Sequence, residues 1–152
     1  MKIRIELIPD LEEEEVVIRC QELNDTVKHV QDAITELTKV KQALVLYRND
    51  AEYYVSVENI LFFETEENGM MAHTRNHTYQ TKYRLYELEE MLPNYFVRVS
   101  KSSIANAKEI YSLKKNAMST TSIAAFRETC KQVYVSRHYT KLLREKLFEI
   151  RC

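Results

Sequence analysis

Two short stretches of the 152-residue chain set cations among hydroxyls. Ser100-Lys101-Ser102-Ser103 interrupts an apolar run that begins at Tyr95-Phe96-Val97-Arg98-Val99 and resumes at Ile104-Ala105. A lysine flanked by serines can donate to a phosphate oxygen or a guanine edge. The hydroxyls of Ser100, Ser102 and Ser103 can contact phosphate or fold back on the backbone, and Arg98 adds a further cation. The second stretch, Ser136-Arg137-His138, opens the last amphipathic segment. Ser136 is of the type that caps a helix. Arg137 and His138 then stand in the first turn, where the positive end of the macrodipole costs a cation about 0.3–1 kcal/mol. A helix built only for stability would carry Asp or Glu there. An anion in front of that turn reverses the sign, because backbone N–H groups, dipole and Arg137 all attract it. Arg137, Lys141 and Arg144 share one helix face, with Tyr139, Leu142, Leu143 and Leu147 expected to face the core. Each stretch alone also has a plainer reading, a serine-rich turn and an ordinary terminal helix.

Other reactive side chains point to less. His73 and His77 would suit a metal on a helix, but they fall in strand-like sequence, where residues four apart are about 13 Å distant. Glu64, Glu66 and Glu67, like Glu87, Glu89 and Glu90, read as solvated faces without a partner base. Ser136 and His138 lack an acidic orienting group nearby in sequence. Gly69 is the only glycine, which excludes a glycine-rich phosphate loop. The expectation is therefore no catalysis, no cofactor, no metal and no small-molecule substrate.

Composition and patterning supply the frame. Hydrophobic residues make up 45% and charged residues 30%, a globular mixture. No apolar run approaches about 18 residues, so no membrane-spanning helix is expected. The start, MKIRIELIPDLEEEE, does not read as a signal peptide. Cys20, Cys130 and Cys152 are odd in number and widely spaced, as reduced thiols of a cytoplasmic protein would be. The net charge of −1 hides a polarity: residues 1–45 and 46–93 are net acidic, while residues 94–152 hold 12 of the 22 Lys and Arg. Such segregation favours one cationic face and a polyanionic partner.

Residues 3–8 alternate as a strand, and 16–20 read as a second. A helix capped by Asn24 or Asp25 runs to about Gln42, with a narrow stripe of Val27, Val30, Ile34 and Leu37. That stripe either packs on the hairpin or pairs with its own copy. Strands are expected at 43–48, 52–57, 59–66, 70–75 and 77–83, with a type I′ turn at Asn68-Gly69. A short helix over 85–93 follows, then strands around the 100–103 loop, at 108–113, 119–126 and 131–136, and a helix from Arg137 to about Glu149. The fold class is mainly β with flanking helices (α+β). Residues 1–44 form a β-β-α segment that dimerises or binds a partner, and residues 45–152 form an antiparallel β domain.

FVRVSKSSIANAKEI, followed some thirty residues later by VYVSRHYTKLLREKL, resembles the LytTR DNA-binding domain of bacterial transcription regulators. VSVENILFFETEENG and YELEEML fall in the family's order too. The resemblance covers about residues 45 to 150. It implies antiparallel strands that present loops, rather than a recognition helix, to successive major grooves of double-stranded DNA. The family stretch Phe-x-Arg-x-His-Arg-Ser-x-x-x-Asn is matched at Phe96, Arg98, Ser102 and Asn106, with Ser100 for the histidine and Lys101 for the arginine. Lysine keeps the charge but loses the planar fork. Arg137 and His138 match the second reading loop, and the hairpin at Asn68 corresponds to a third contact region. Residues 1–45 are too few for the receiver domain many members carry. The expected protein is a cytoplasmic, homodimeric, sequence-specific regulator with no receiver, open to a regulatory protein partner such as a membrane-embedded antagonist. The alternative is a protein–protein adaptor whose basic face binds an acidic partner.

Overall fold

A computed structural model describes residues 1–12, 14–38 and 43–151. The chain forms two compact units, Met1–Thr38 and Lys39–Cys152. Among its described residues the first holds one helix, α1 (Asp25–Thr38). Its start is capped as expected, with Asn24 Oδ1 accepting the Val27 N–H at 3.0 Å. The expected end near Gln42 lies outside the described residues. The strands expected at 3–8 and 16–20 are not formed among the described residues, which corrects the β-β-α segment to an extended lead and a helix. Alternation selects a strand only where a neighbour supplies hydrogen bonds and cover, and an isolated hairpin is marginal in water.

The second unit is antiparallel β with flanking helices, as its patterning leads one to expect. Its elements are β1 (Ala43–Arg48), β2 (Ala51–Ser56), β3 (Phe62–Glu66), β4 (Gly69–His73), β5 (Thr78–Gln80), α2 (Leu85–Met91), β6 (Phe96–Ser100), β7 (Ser103–Asn106), β8 (Ile110–Lys115), β9 (Ser122–Phe126), β10 (Gln132–Val135) and α3 (Arg137–Arg151). One sheet runs β2-β1-β5-β4-β3-β7-β6 and the other β10-β9-β8.

Successive strand residues point to opposite faces, and β3 and β7 use this to divide two cores. Phe63 and Ile104 pack with Leu44, Leu46, Ile60 and Leu88. Their neighbours Phe62 and Ala105 pack with Val99, Phe126, Val135 and Leu143. The Arg75 guanidinium pairs with Glu109, and Lys131 Nζ donates to the His77 carbonyl at 2.6 Å, so both tie the β4–β5 turn to the smaller sheet.

The turn chemistry differs from expectation in one informative way. The type I′ turn is at Asn49-Asp50, with φ of 50° and 60°, between the paired residues Arg48 and Ala51. At the other hairpin the loop residues are Glu67 and Asn68, and of the pair Asn68-Gly69 only Gly69, at φ 107°, is left-handed. A type I turn followed by a glycine bulge fits that pattern. Asn-Gly thus marks the hairpin correctly but not its type.

Asn106 is buried and works on backbone. Its Nδ2 donates to the Ile60 carbonyl at 3.0 Å, and its Oδ1 accepts the Lys108 N–H at 3.1 Å. Asn106→Leu strands both groups, each at about 1–3 kcal/mol. Urea unfolding should show a loss of about 2–4 kcal/mol. Glu64 is half-buried, and burial raises its pKa, with the Ser103 hydroxyl bond opposing and Glu66 adding to the rise. A folded-state pKa above the unfolded one means that ionised Glu64 costs stability at neutral pH, and that the cost fades as pH falls through the raised value. Glu64→Gln should therefore raise the melting temperature at pH 7, with the gain disappearing at acid pH.

Candidate nucleic-acid interface

Strand register brings three turns to one end of the framework. Glu64 pairs with Ser103, so the β3–β4 tip at Glu67-Asn68 and the β6–β7 turn at Lys101-Ser102 leave the sheet on the same side. The Thr65 N–H donates to the Ser102 carbonyl at 2.9 Å between them. In the smaller sheet Lys115 pairs with Ser122 and Ser122 with Val135, which sets the β8–β9 loop beside the entry to α3. The sheets meet where the Ser136 N–H donates to the Val99 carbonyl at 2.8 Å. Backbone lengths then hold the Cα atoms of Lys101 and Arg137 within about 18 Å. A single ligand surface can meet both.

The 100–103 turn is internally braced. Ser100 Oγ accepts the Ser102 N–H at 3.1 Å and lies 3.3 Å from Ser102 Oγ. Arg98 donates from Nε to the Ser100 carbonyl at 2.7 Å and from Nη2 to the Lys101 carbonyl at 2.6 Å, and pairs with Glu89 at 3.0 Å. Its guanidinium is committed to holding the turn, which makes it a positioning residue. Ser103 is buried and donates to Glu64 at 3.2 Å, so this serine faces the protein and not the exterior. Lys101 is left exposed at the tip, without an ion-pair partner among the described residues.

The start of α3 has the same character. The Ser136 carbonyl accepts from the Tyr139 and Thr140 N–H groups, both at 3.1 Å, which sets the helix start as expected. Arg137, His138, Lys141 and Arg144 are exposed, and His138 meets the Tyr139 ring edge-on at 4.9 Å. Leu143 is buried and Tyr139 and Leu147 pack beside its core, whereas Leu142 is 49% exposed and departs from the expected core-facing set. Asn68 is exposed at its tip, its carbonyl accepting from Gln80 at 2.7 Å. Glu66 and Glu67 make that tip acidic.

A groove of about 500 Å³ runs between the β8–β9 loop and α3, lined by Lys115, Ser119, Thr121, Arg137, Lys141 and Arg144 among others. None of its four cations has an ion-pair partner among the described residues. In the sequence the Lys114-Lys115-Asn116 segment reads as a plain turn with no tie to the helix. The signal available was Lys115 followed by Ser119-Thr120-Thr121-Ser122, the same mixture of cation and hydroxyl as at the other two turns. Unpaired cations with hydroxyls along a groove are chemically suited to a row of phosphates.

The two histidines do not converge. His73 Nε2 pairs with Glu66 at 3.0 Å, while His77 Nδ1 meets Arg48 at 2.6 Å. Strand pairing does gather Glu64, Glu66 and His73, with ligand atoms within 4.8 Å, a grouping that linear spacing conceals. Protein groups already serve it, since Ser103 donates to Glu64 and Thr78 Oγ1 lies 3.3 Å from His73 Nδ1. Burial lowers the pKa of His73, against the Glu66 hydrogen bond that raises it, and burial also lowers that of Lys131.

Comparison with known proteins agrees with the geometry. A family model described as the LytTr DNA-binding domain matches residues 50–148. A protein of Staphylococcus aureus strain bovine RF122 / ET3-1, named as an HTH-type transcriptional regulator, is 30% identical over 97% of this chain and 98% of its own length. One from strain NCTC 8325 / PS 47, named likewise, has the same identity and coverage. The LytTr DNA-binding domain of a methyl-accepting/DNA response regulator from Bacillus cereus shares the fold, with a TM-score of 0.64 at 24% identity over 71% of this chain and 98% of that one. Helix-turn-helix in the relatives' names has no counterpart here, for among the described residues α2 and α3 are separated by five strands. No described helix is long and apolar enough to cross a membrane. On the family model, and on relatives aligned along nearly their whole length, the chain belongs to the LytTr DNA-binding domain family, a family of DNA-binding transcription regulators and not of enzymes.

Proposed function

We propose that the chain is a cytoplasmic regulator that recognises specific DNA sequences as a homodimer on paired half-sites, reading them through turns and the first turn of α3. One observation carries this reading: exposed Lys101 and Arg137, free of ion pairs among the described residues, stand on braced supports at the same end of one β framework. Lys101 and Arg137 contact base edges, with the hydroxyls of Ser100 and Ser102 and the His138 ring beside them. Lys141, Arg144 and Lys115 neutralise phosphates along the groove. Arg98 acts through the turn it braces, and Asn68 meets the flanking backbone as the least cationic contact. The described residues of Met1–Thr38 are one helix with an extended lead and not a doubly wound receiver fold, and a control signal can enter through them. The natural route is a protein partner, of which a membrane-embedded antagonist is one kind.

Selection of bound duplexes from a random pool by the purified chain should enrich a spaced repeat of one half-site. On that site Lys101→Ala and Arg137→Ala should each cost about 1–3 kcal/mol and relax preference at the bases they touch. Folded variants that bind as tightly as the parent would remove both residues from the reading set.

The groove cations should behave differently. Lys115→Ala and Lys141→Ala should weaken specific and random duplex alike. Each should flatten the log–log salt dependence by about 0.9 for every phosphate it no longer neutralises. An unchanged slope would take the groove out of the DNA path. An acidic protein that competes while random and selected duplex bind equally would favour the adaptor reading.

A further inference from the structure

The N-terminal lead contains a feature that DNA reading leaves unused. Ile3, Ile5 and Leu7 are 91, 83 and 92% exposed, at the two-residue spacing of a strand face. Between them stand Arg4 and Glu6, also exposed, with Arg4 Nη2 and Glu6 Oε1 2.8 Å apart along the segment. Apolar side chains this large and this exposed, repeated at strand spacing, mark a surface that another chain covers.

The pattern is complementary to itself. Set antiparallel to a second copy about a two-fold axis at Ile5, Ile5 faces Ile5 and Ile3 faces Leu7 on the apolar face. On the other face Arg4 stands opposite Glu6 at both ends. Other registers fail on electrostatics. Parallel pairing opposes Arg4 to Arg4 and Glu6 to Glu6. A slip by two residues in either antiparallel direction again brings Arg4 onto Arg4 or Glu6 onto Glu6. A slip by one sets apolar residues against charged ones. Within the chain, Arg4 and Glu6 share a surface groove with Glu15, Val17 and Arg19, yet both side chains stay exposed and Ile3, Ile5 and Leu7 are left uncovered.

We propose that residues 3–7 of two copies pair as an antiparallel ribbon centred on Ile5, fixing the register of the homodimer. Five residues a side are too few to hold a dimer alone. Val16, Val17 and Leu37, 65, 60 and 85% exposed, supply further apolar surface in the same unit. The inference rests on the homodimer in the reading above and not on any DNA contact.

Charge exchange in the full chain tests it, with association followed by sedimentation velocity in the absence of DNA. Arg4→Glu and Glu6→Arg each set like charges opposite each other at both ends of the ribbon. Each should weaken self-association about tenfold or more. An equimolar mixture of the two variants restores both opposite-charge pairs and should associate as the parent does. The double variant Arg4→Glu/Glu6→Arg should do the same with itself. A parent that is monomeric at tens of micromolar, single variants that associate like the parent, or a mixture no better than its components would each overturn the ribbon. Because no duplex is present, failure here leaves the DNA reading standing. A random-pool selection without enrichment leaves the ribbon standing.

Discussion

One backbone hydrogen bond, from the Ser136 N–H to the Val99 carbonyl, determines where the candidate contacts stand. It joins the exit of the smaller sheet to the edge strand of the larger, one residue before α3 begins and two before Lys101. Together with the core that Phe62, Val99 and Ala105 share with Phe126 and Val135, that junction keeps the two cationic turns at a fixed spacing. With it, their geometry follows from buried strand register, which Val99 and Val135, both fully buried, hold in place. Positions fixed by a packed core lose little entropy when a ligand arrives, which is why a reading residue on a braced turn is worth more than the same residue on a loose one.

Electrostatics at this end are arranged for a partner rather than for the isolated molecule. Elsewhere, several cations are paired or committed: Arg75 to Glu109, Arg98 to Glu89, Lys131 to a carbonyl. Arg137, Lys141 and Arg144 of α3 have no ion-pair partner among the described residues, and the first helical turn carries Arg137 and His138 against its own dipole. Repulsion of this kind is tolerated at the surface because water screens it. It becomes attraction when a polyanion enters and displaces counterions. The acidic tip at Glu66-Glu67 works in the opposite sense.

Strand patterning makes most of the second unit legible, because each strand alternates or runs apolar between strong turn residues. The limits of that legibility have physical causes. Residues 3–8 carry the same alternation as a real strand, but the period reports what a face would bury, not whether a neighbour exists to bury it. Arg98 reads as one more cation for phosphate, since sequence cannot show that two carbonyls of its own turn lie within reach. Ser103 and Ser102 are chemically alike in the string, and only the pleat decides that one faces Glu64 and the other the turn. Lys115 does not stand out because its helical neighbours in the groove are more than twenty residues away and arrive through two strand pairings.

The absence of a paired helix-turn-helix among the described residues is consistent with this arrangement rather than a defect in it. A recognition helix places several side chains in one groove from a single rigid rod. Here rigidity comes from the sheet, and on the proposed reading each turn delivers a single side chain. On that reading, specificity comes from the spacing between turns as much as from any one contact. That shifts the burden away from the bidentate fork Lys101 lacks. A lysine is a point charge that several acceptors can satisfy, so alone it discriminates weakly. Held within a fixed distance of Arg137, a lysine that reads DNA would be satisfied only where an acceptor occurs at the matching position on the duplex. The framework's register, more than the chemistry of the fingertip, is what would make such a pair selective.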